Sequence, residues 1–225
     1  MTPALRTPHD GLPAQVLVGL MGRPGSGKDT CAQALCTQHG FHAIAFADAL
    51  RKEVSTAFRI DPRTLLEPAT KEWPIKALAI GMSMDPFYIQ AMLLRGHDLD
   101  EPRSPRWTLQ HWGTDYRRTQ QPSYWLTPVA TWVRHQRAIG RSRLLVTDVR
   151  FPDEAALIGL LGGRRLRVHR PELTPMPDDT AGHESEQHAD SLEAHGTVAN
   201  AGTLEQLRDA AVQAITGLSF AEVPG

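Results

Sequence analysis

The stretch Gly19–Thr30, GLMGRPGSGKDT, decides the fold and directly follows an apolar run at residues 15–18. Its glycines and lysine satisfy the spacing G-x-x-x-x-G-K, from Gly22 to Gly27 and Lys28. An apolar strand before such glycines and a helix after them let backbone N–H groups and the helix N-terminus surround a phosphate. The spacing is not G-x-G-x-x-G, which makes a dinucleotide site the weaker interpretation. The stretch predicts a P-loop.

One position departs from the P-loop pattern, because Asp29 follows the lysine where Ser or Thr usually binds Mg²⁺. An aspartate can hold the same metal ion through its carboxylate or through a water molecule. Thr30 is the alternative ligand, although one helical residue rotates its side chain by about 100°. The predicted phosphate site consists of Gly22, Gly25, Ser26, Gly27, Lys28, Asp29 and Thr30.

Apolar strands alternate with helices along the chain, which predicts a parallel sheet with ligands at the carboxyl ends of its strands. We therefore expect an α/β fold of the P-loop NTPase type, with three layers, about five central strands and an inserted helical substrate-binding region. The predicted strands lie at residues 15–21, 41–46, 143–150, 165–171 and 196–202. Thr203 is the expected N-cap of a closing helix.

The domain prediction is a single domain at residues 15–218, between tails at 1–14 and 219–225. The proline-rich region 60–105 lacks strand patterning and is the expected insertion. The polar stretch 174–190 is a candidate lid, which would exclude water from a bound phosphate. Glu186 within that stretch is expected to hold the lid closed through an arginine.

Composition limits the classes of partner. Lys and Arg number 24 against 25 Asp and Glu, so no global field favours nucleic acid or an anionic membrane. Cys31 and Cys36 are five residues apart on a predicted helix, which disfavours a disulfide and fits a reducing cytosol. No apolar run approaches the ~20 residues of a membrane span. We expect a cytoplasmic protein without direct nucleic-acid or membrane partners.

A second set of candidate residues follows the apolar strand in LLVTDVRFPDEA, residues 144–155. Asp148 stands where a Walker-B-like carboxylate reaches Mg²⁺ beside the P-loop. Arg150 is placed to hold a phosphate of a second substrate, whereas Asp153 and Glu154 favour the start of the next helix. The alternative for Asp148 and Arg150 is a salt-bridged strand end.

Seven motifs occur in one order along the chain: GSGKDT, FADALRKEV, LQHWGTD, LVTDVRFPDEA, HRP, HESE and ANAGTLEQL. Together they resemble the bacteriophage deoxynucleoside monophosphate kinases, over residues 16–218, and the pairing of GKDT with TDVRFPDEA is the specific part. The resemblance implies the P-loop nucleoside monophosphate kinase fold and transfer of the γ-phosphoryl group of ATP to a dNMP. It also implies Mg²⁺ and a role in nucleotide supply for phage DNA synthesis, in the host cytoplasm. A homodimer is compatible with it.

The resemblance also implies roles for individual residues. Lys28, Asp48, Asp148 and Arg150 become the catalytic candidates, and Arg170 and Asn200 join the P-loop in binding ATP. The metal candidates are Asp29, Thr30 and Asp148. The dNMP site is assigned to Asp48, Arg51, Trp112, Gly113, Thr114, Asp115, Arg118, Arg150 and Glu186.

Several alternatives remain beside this assignment. Dephospho-coenzyme A kinase shares the P-loop and a similar N-x-G-T-L ending, and a non-catalytic nucleotide switch would share the P-loop alone. HESEQH, residues 183–188, misses the zinc spacing H-E-x-x-H by one residue. The run GGRRLRVHR favours a strand with solvated arginines over a nucleic-acid patch. Core packing is the general expectation for the tryptophans, with base stacking an alternative for Trp112.

Overall fold

A computed structural model of the chain describes residues 11–171 and 191–220. These residues divide into two compact units. The first contains the described residues up to Phe46 and from Pro128 onward, and the second is Ala47–Thr127. The candidate lid at 174–190, with Glu186, lies outside the described residues. No helix in the described ranges is long and apolar enough to cross a membrane.

The first unit is built on a five-stranded sheet in which every pairing is parallel and the order is β2-β3-β1-β4-β5. Its strands are β1 (Val16–Met21), β2 (His42–Ile44), β3 (Arg143–Val146), β4 (Arg164–His169) and β5 (Gly196–Ala199). β1 is central, pairing Val18 with Leu145 on one side and with Arg164 on the other. All five carboxyl ends therefore lie along one edge of the sheet, as the alternating pattern predicts.

Helices cover both faces of this sheet. The helices of the first unit are α1 (Lys28–His39), α6 (Pro152–Leu160) and α7 (Leu204–Thr216), together with most of α5 (Leu126–Ala138). Leu35 of α1 and Ala211 of α7 pack with Val18 in one apolar core. On the other face a Cβ at Gly19 would lie 3.1 Å from Ile158 of α6, so glycine permits the close approach. The predicted three-layer α/β fold is confirmed.

The second unit is helical and wider than the insertion expected at 60–105. It contains most of α2 (Phe46–Phe58), α3 (Pro86–Leu94), α4 (Pro105–Gln110) and a π-helix at His111–Arg118. Short 3₁₀ turns connect α2 to α3, and a single antiparallel bridge joins Ile75 to Arg103. Phe58, Tyr88, Trp112 and Tyr116 form its aromatic centre, with ring centroids 4.5–6.1 Å apart.

The reactivity of the two cysteine thiols of α1 tests how this helix packs on the sheet. Both cysteines are free, and burial raises the pKa of Cys31 to about 12 and also raises the pKa of Cys36. Since only the thiolate attacks disulfide reagents, we expect Cys31 to be protected in the native protein and Cys36 to react slowly at neutral pH. Thiol titration should count at most one reactive group before unfolding and both afterwards. Rapid reaction of both thiols in the native state would contradict the burial of Cys31.

Candidate active site

The loop between β1 and α1 has the backbone that a P-loop requires. Gly22, Gly25 and Gly27 all have positive φ, at 151°, 78° and 91°. A Cβ at Gly22 would lie 2.5 Å from the carbonyl oxygen of Val168, so only glycine fits there without displacement. Ser26 Oγ is buried and has no hydrogen-bond partner among the described residues. Because an unsatisfied buried hydroxyl is costly, a phosphate oxygen would be a favourable partner for it.

Asn200 fixes this loop from the end of β5. Its backbone N–H donates to the carbonyl of His169 at 2.7 Å, and its side-chain Nδ2 donates to the carbonyl of Ser26 at 2.9 Å. The side chain also occupies the space beside Gly27 that a Cβ would need. The resemblance assigns Asn200 to the ATP site. The contact that the structure describes is with the P-loop backbone itself.

The residues after Gly27 begin α1. Gly27 is its N-cap in the left-handed conformation, and its carbonyl accepts from Cys31 N at 2.9 Å. Lys28 is 8% exposed, with its Nζ 3.7 Å from Asp29 Oδ2. Asp29 and Thr30 are both exposed at the first turn of α1. The helix therefore presents its N-terminus, one ammonium and two oxygen-bearing side chains together.

Asp148 lies two residues beyond β3, at the carboxyl edge of the sheet. The backbone on either side remains tied to neighbouring chain, since Thr147 N donates to Ile44 O and Val149 N donates to Leu20 O. Asp148 Oδ1 accepts the backbone N–H of Phe46 at 2.7 Å. This hydrogen bond satisfies the backbone N–H of Phe46, the first residue of α2.

Asp48 lies within α2 for this reason. The second strand, predicted at residues 41–46, already ends at Ile44, and Asp48 is the third residue of α2. Its Oδ1 accepts from Arg51 Nη2 at 2.6 Å, one helical turn later. The two residues assigned to the acceptor thus form an ion pair in the first two turns of α2.

Arg150 follows Asp148 on a turn that Glu154 organises. Glu154, the third residue of α6, is 3% exposed, and its Oε2 accepts from the backbone N–H of Arg150 at 2.8 Å and of Phe151 at 3.1 Å. The guanidinium of Arg150 has no hydrogen bond or ion pair within the described residues. Sequence reasoning assigned Glu154 only a role at the start of the helix. Its position three residues into a helix is the local signal for such a backbone bond.

We expect Glu154→Gln to lower both stability and activity. Gln keeps one acceptor oxygen but loses the charge that strengthens two hydrogen bonds, which should reduce the free energy of unfolding by about 1–3 kcal/mol. Phosphotransfer should fall as well, because the turn that carries Arg150 is released. Asp153→Asn is the matched control, removing one charge from the same helical turn at a cost of less than about 1 kcal/mol. Chemical denaturation and steady-state rates of the pair measure the difference; equal effects would refute a special role for Glu154.

The arginines of β4 are mostly engaged by backbone carbonyls. Arg164 donates to Ser219 O, Arg165 to Ala155 O and Arg167 to Leu192 O. These bonds join the arginine side chains of β4 to neighbouring backbone. Arg170 directly follows β4 and is exposed at the carboxyl edge of the sheet. The P-loop begins at the same edge, where the neighbouring strand β1 ends.

The segment assigned to the deoxynucleotide lies in the second unit, on the π-helix. The Trp112 ring is 1% exposed, and its Nε1 donates to Glu53 Oε2 at 3.0 Å. In this conformation Trp112 packs in the aromatic centre of the unit, as expected for most of the tryptophans, and has almost no surface for stacking on a base. Gly113 packs against Leu50, with a Cβ position 3.2 Å from its side chain.

The remaining candidates of this segment are partly exposed. The carboxylate of Asp115 lies 3.6 Å from His111 Nε2, and its carbonyl accepts from Arg95 Nη2. Thr114 is half-buried beside it. Arg118 donates to Pro122 O at 3.1 Å. The neighbouring Arg117, which the sequence analysis did not select, makes the more extensive contacts described below.

A metal ion would have to share its ligands with phosphates. Among the described residues, no three His, Cys, Asp or Glu side chains converge on one point. Mg²⁺ in nucleotide sites is usually bound through one or two carboxylates together with substrate phosphates and water. Asp29 and Asp148 supply carboxylates of that kind in the first unit, so the donor set fits a metal that arrives with ATP.

Comparison with known proteins supports the resemblance noted in the sequence. The chain is 28% identical over 215 residues to a protein of Acanthamoeba polyphaga mimivirus that is provisionally named a deoxynucleotide monophosphate kinase. The match covers 91% of this chain and 98% of the viral protein. No protein-family profile matches the sequence.

Solved structures give weaker similarities. A sugar kinase from Janibacter sp. HTCC2649 has a TM-score of 0.47 at 17% identity, covering 89% of this chain and 94% of its own. A dephospho-CoA kinase from Campylobacter jejuni has a TM-score of 0.42 at 15% identity, covering 90% and 97%. Because none of these scores reaches 0.5, the fold assignment rests on the sheet order and the P-loop of this chain.

Proposed function

We propose that this P-loop kinase transfers the γ-phosphoryl group of ATP to a deoxynucleoside monophosphate, giving ADP and the dNDP, in nucleotide supply for phage DNA synthesis. The observation that carries the proposal is the loop at Gly22–Lys28, with three positive-φ glycines, an unpartnered buried hydroxyl and a buried lysine at a helix N-terminus. The viral relative supports the choice of acceptor, since its name specifies a deoxynucleotide monophosphate.

The first unit supplies what the donor nucleotide needs. Backbone N–H groups of the loop would bind the β- and γ-phosphates, and Lys28 would place its charge between them. Arg150 and Arg170 lie beyond β3 and β4 at the same edge and would add positive charge around the migrating group. An oxygen of the acceptor phosphate attacks the γ-phosphorus while the bond to the β,γ-bridging oxygen breaks, which makes ADP the leaving group. Such a reaction depends on positioning and charge more than on covalent catalysis.

Mg²⁺ belongs to this proposal as the ion that neutralises phosphate charge when ATP is bound. Asp148 and either Asp29 or Thr30 are the residues that would hold it. Asp148 is already oriented by its bond to Phe46 N, and Asp29 and Thr30 are exposed on the first turn of α1. Asn200 would hold the loop in shape while the nucleotide enters.

The acceptor proposal rests on the second unit. Arg51 would exchange its bond with Asp48 for the phosphate of the dNMP, because a charge-assisted bidentate contact with phosphate is stronger than an exposed ion pair. Thr114, Asp115 and Arg118 on the π-helix would bind the remainder of the nucleotide. Since ATP and dNMP are cytoplasmic metabolites, the proposal places the enzyme in the cytoplasm.

The deciding experiment measures ADP release with Mg-ATP and each of the four dNMPs separately. Dephospho-coenzyme A and a reaction without acceptor run in parallel, with Lys28→Ala as the blank. Release with one or more dNMPs, and its loss in the blank, is the expected result and names the accepted bases. Release only with dephospho-coenzyme A would assign the chain to that kinase class. ATP binding without acceptor-dependent release would refute the transfer reaction and leave a nucleotide switch.

A further inference from the structure

The segment that carries Gly113, Thr114 and Asp115 has an uncommon backbone. His111–Arg118 is a π-helix of eight residues, whereas π-helices usually occur as single turns and are frequent at functional sites. Composition alone does not select it, because the same side chains suit an α-helix, and α4 immediately before it is α-helical. A contact from elsewhere in the unit must therefore favour the π-helical register.

Glu53 of α2 makes that contact. Its Oε2 accepts two hydrogen bonds from the π-helix, from Trp112 Nε1 at 3.0 Å and from Arg117 Nε at 2.9 Å. Its Oε1 accepts from the hydroxyl of Tyr124. Both oxygens of this one carboxylate are thus engaged, and one of them joins two residues that are five apart in sequence.

That spacing distinguishes the two helical registers. In an α-helix five residues correspond to about 500° of rotation, which leaves their side chains about 140° apart. In a π-helix residue i is hydrogen-bonded to residue i+5, so side chains five apart lie on the same face. A single carboxylate oxygen can therefore accept from both Trp112 and Arg117 in the π-register and not in the α-register.

Arg117 is fixed in this orientation from other sides as well. Its guanidinium lies 4.5 Å from the ring centre of Tyr116 and 5.2 Å from that of Tyr124. Its Nη2 is 3.5 Å from Asp85 Oδ2, which also accepts the hydroxyl of Tyr116 at 2.8 Å. These contacts stabilise the side chain where Glu53 binds it, and they leave Arg118 on a different face of the helix.

We propose that Glu53 is a positioning residue that selects the π-register of His111–Arg118. It does so by binding residues five apart, and it thereby sets where Thr114 and Asp115 lie relative to Arg51, two residues before Glu53 on α2. A return to the α-register would shift every side chain after Trp112 by one position around the helix. The link to the acceptor rests on the proposed function, whereas the link to the register does not.

The test compares Glu53→Ala and Glu53→Gln with wild type by two independent readouts. Amide hydrogen exchange over residues 111–119 reports the register, and the KM values for dNMP and ATP report its consequence. We expect the exchange rates in that segment to change, because its amides take different carbonyl acceptors when the register shifts. We also expect a dNMP KM raised about tenfold or more, because hydrogen bonds to a charged group are worth at least that factor. The ATP KM should stay within about twofold of wild type, since the P-loop is untouched.

Two controls separate positioning from general damage. Tyr124→Phe removes a hydrogen bond to Glu53 but leaves Trp112 and Arg117 joined, so exchange over 111–119 should stay at the wild-type rate. Glu67→Gln removes an exposed charge in the same unit, and it should likewise leave exchange over 111–119 at the wild-type rate. Wild-type exchange in both Glu53 variants would overturn the proposal, and so would an equal rise in both KM values. If the wild type transfers nothing to any dNMP, the kinase proposal fails, and the exchange measurement still decides the role of Glu53.

Discussion

Lys28→Ala should lower the rate of phosphotransfer by about 10²–10³-fold, the size of effect seen when one donor to a developing oxyanion is removed. The lysine follows the last glycine of the loop, and its ammonium is held 3.7 Å from Asp29 at the N-terminus of α1. No other ammonium stands in the loop, so an alanine removes the one charge that the loop itself places beside the γ-phosphate. Steady-state assays with saturating Mg-ATP and the best dNMP measure the loss.

Folding should survive this change. Asp29, the partner of Lys28, has 82% of its side chain exposed, so removing the lysine leaves no buried unpaired charge. Lys76→Ala is the matched control, because Lys76 is an exposed lysine outside the loop. Thermal unfolding of both variants should stay close to wild type. A Lys28→Ala protein that keeps its rate within tenfold would show that the loop does not bind the transferred phosphate.

The parts of the fold that the sequence predicted are those whose signals are local. Val16–Met21 is apolar on both faces and became the central strand, and the glycine spacing predicted the loop that follows. Thr203 caps α7 by accepting from Gln206 N at 3.2 Å. Each of these features depends on residues within a few positions of one another.

The parts that sequence reasoning missed depend on residues far apart. The π-helix follows from Glu53, which is 59 residues from Trp112 and 64 from Arg117. No local signal selects Arg117, because one residue of helical register decides which arginine enters the aromatic centre. The start of α2 at Phe46, a residue that the sequence analysis assigned to a strand, likewise follows from Asp148, 102 residues away.

The glycines at the two ends of α1 can be compared with each other, which tests the phosphate-binding loop more sharply than a substitution at either glycine alone. Gly27 and Gly40 both adopt the left-handed conformation, at φ 91° and 67°. A Cβ at Gly40 meets no atom within 4 Å, whereas a Cβ at Gly27 would collide with the side-chain amide of Asn200. Alanine at Gly40 therefore tests backbone strain alone, and alanine at Gly27 tests strain together with displacement of Asn200.

We expect Gly40→Ala to reduce the free energy of unfolding by about 1–2 kcal/mol, the cost of a left-handed non-glycine residue. Gly27→Ala should cost about 1–3 kcal/mol more, since Asn200 must give up its hydrogen bond to Ser26 O. Only the Gly27 variant should lose ATP binding, because the loop backbone that receives the phosphates is then displaced. Denaturant titration and ATP titration of the two variants measure these effects.

Adding Asn200→Ala to Gly27→Ala tests the cause of the difference. Truncating Asn200 removes the side chain that occupies the space of the new Cβ. If the collision dominates, Gly27→Ala should cost no more in the Asn200→Ala background than Gly40→Ala costs in wild type, since residues in contact are not additive. Costs that simply add would show that Asn200 does not constrain the loop, and equal costs for Gly27→Ala and Gly40→Ala in wild type would show the same. The coupling therefore measures directly how far the end of β5 holds the phosphate-binding loop in shape.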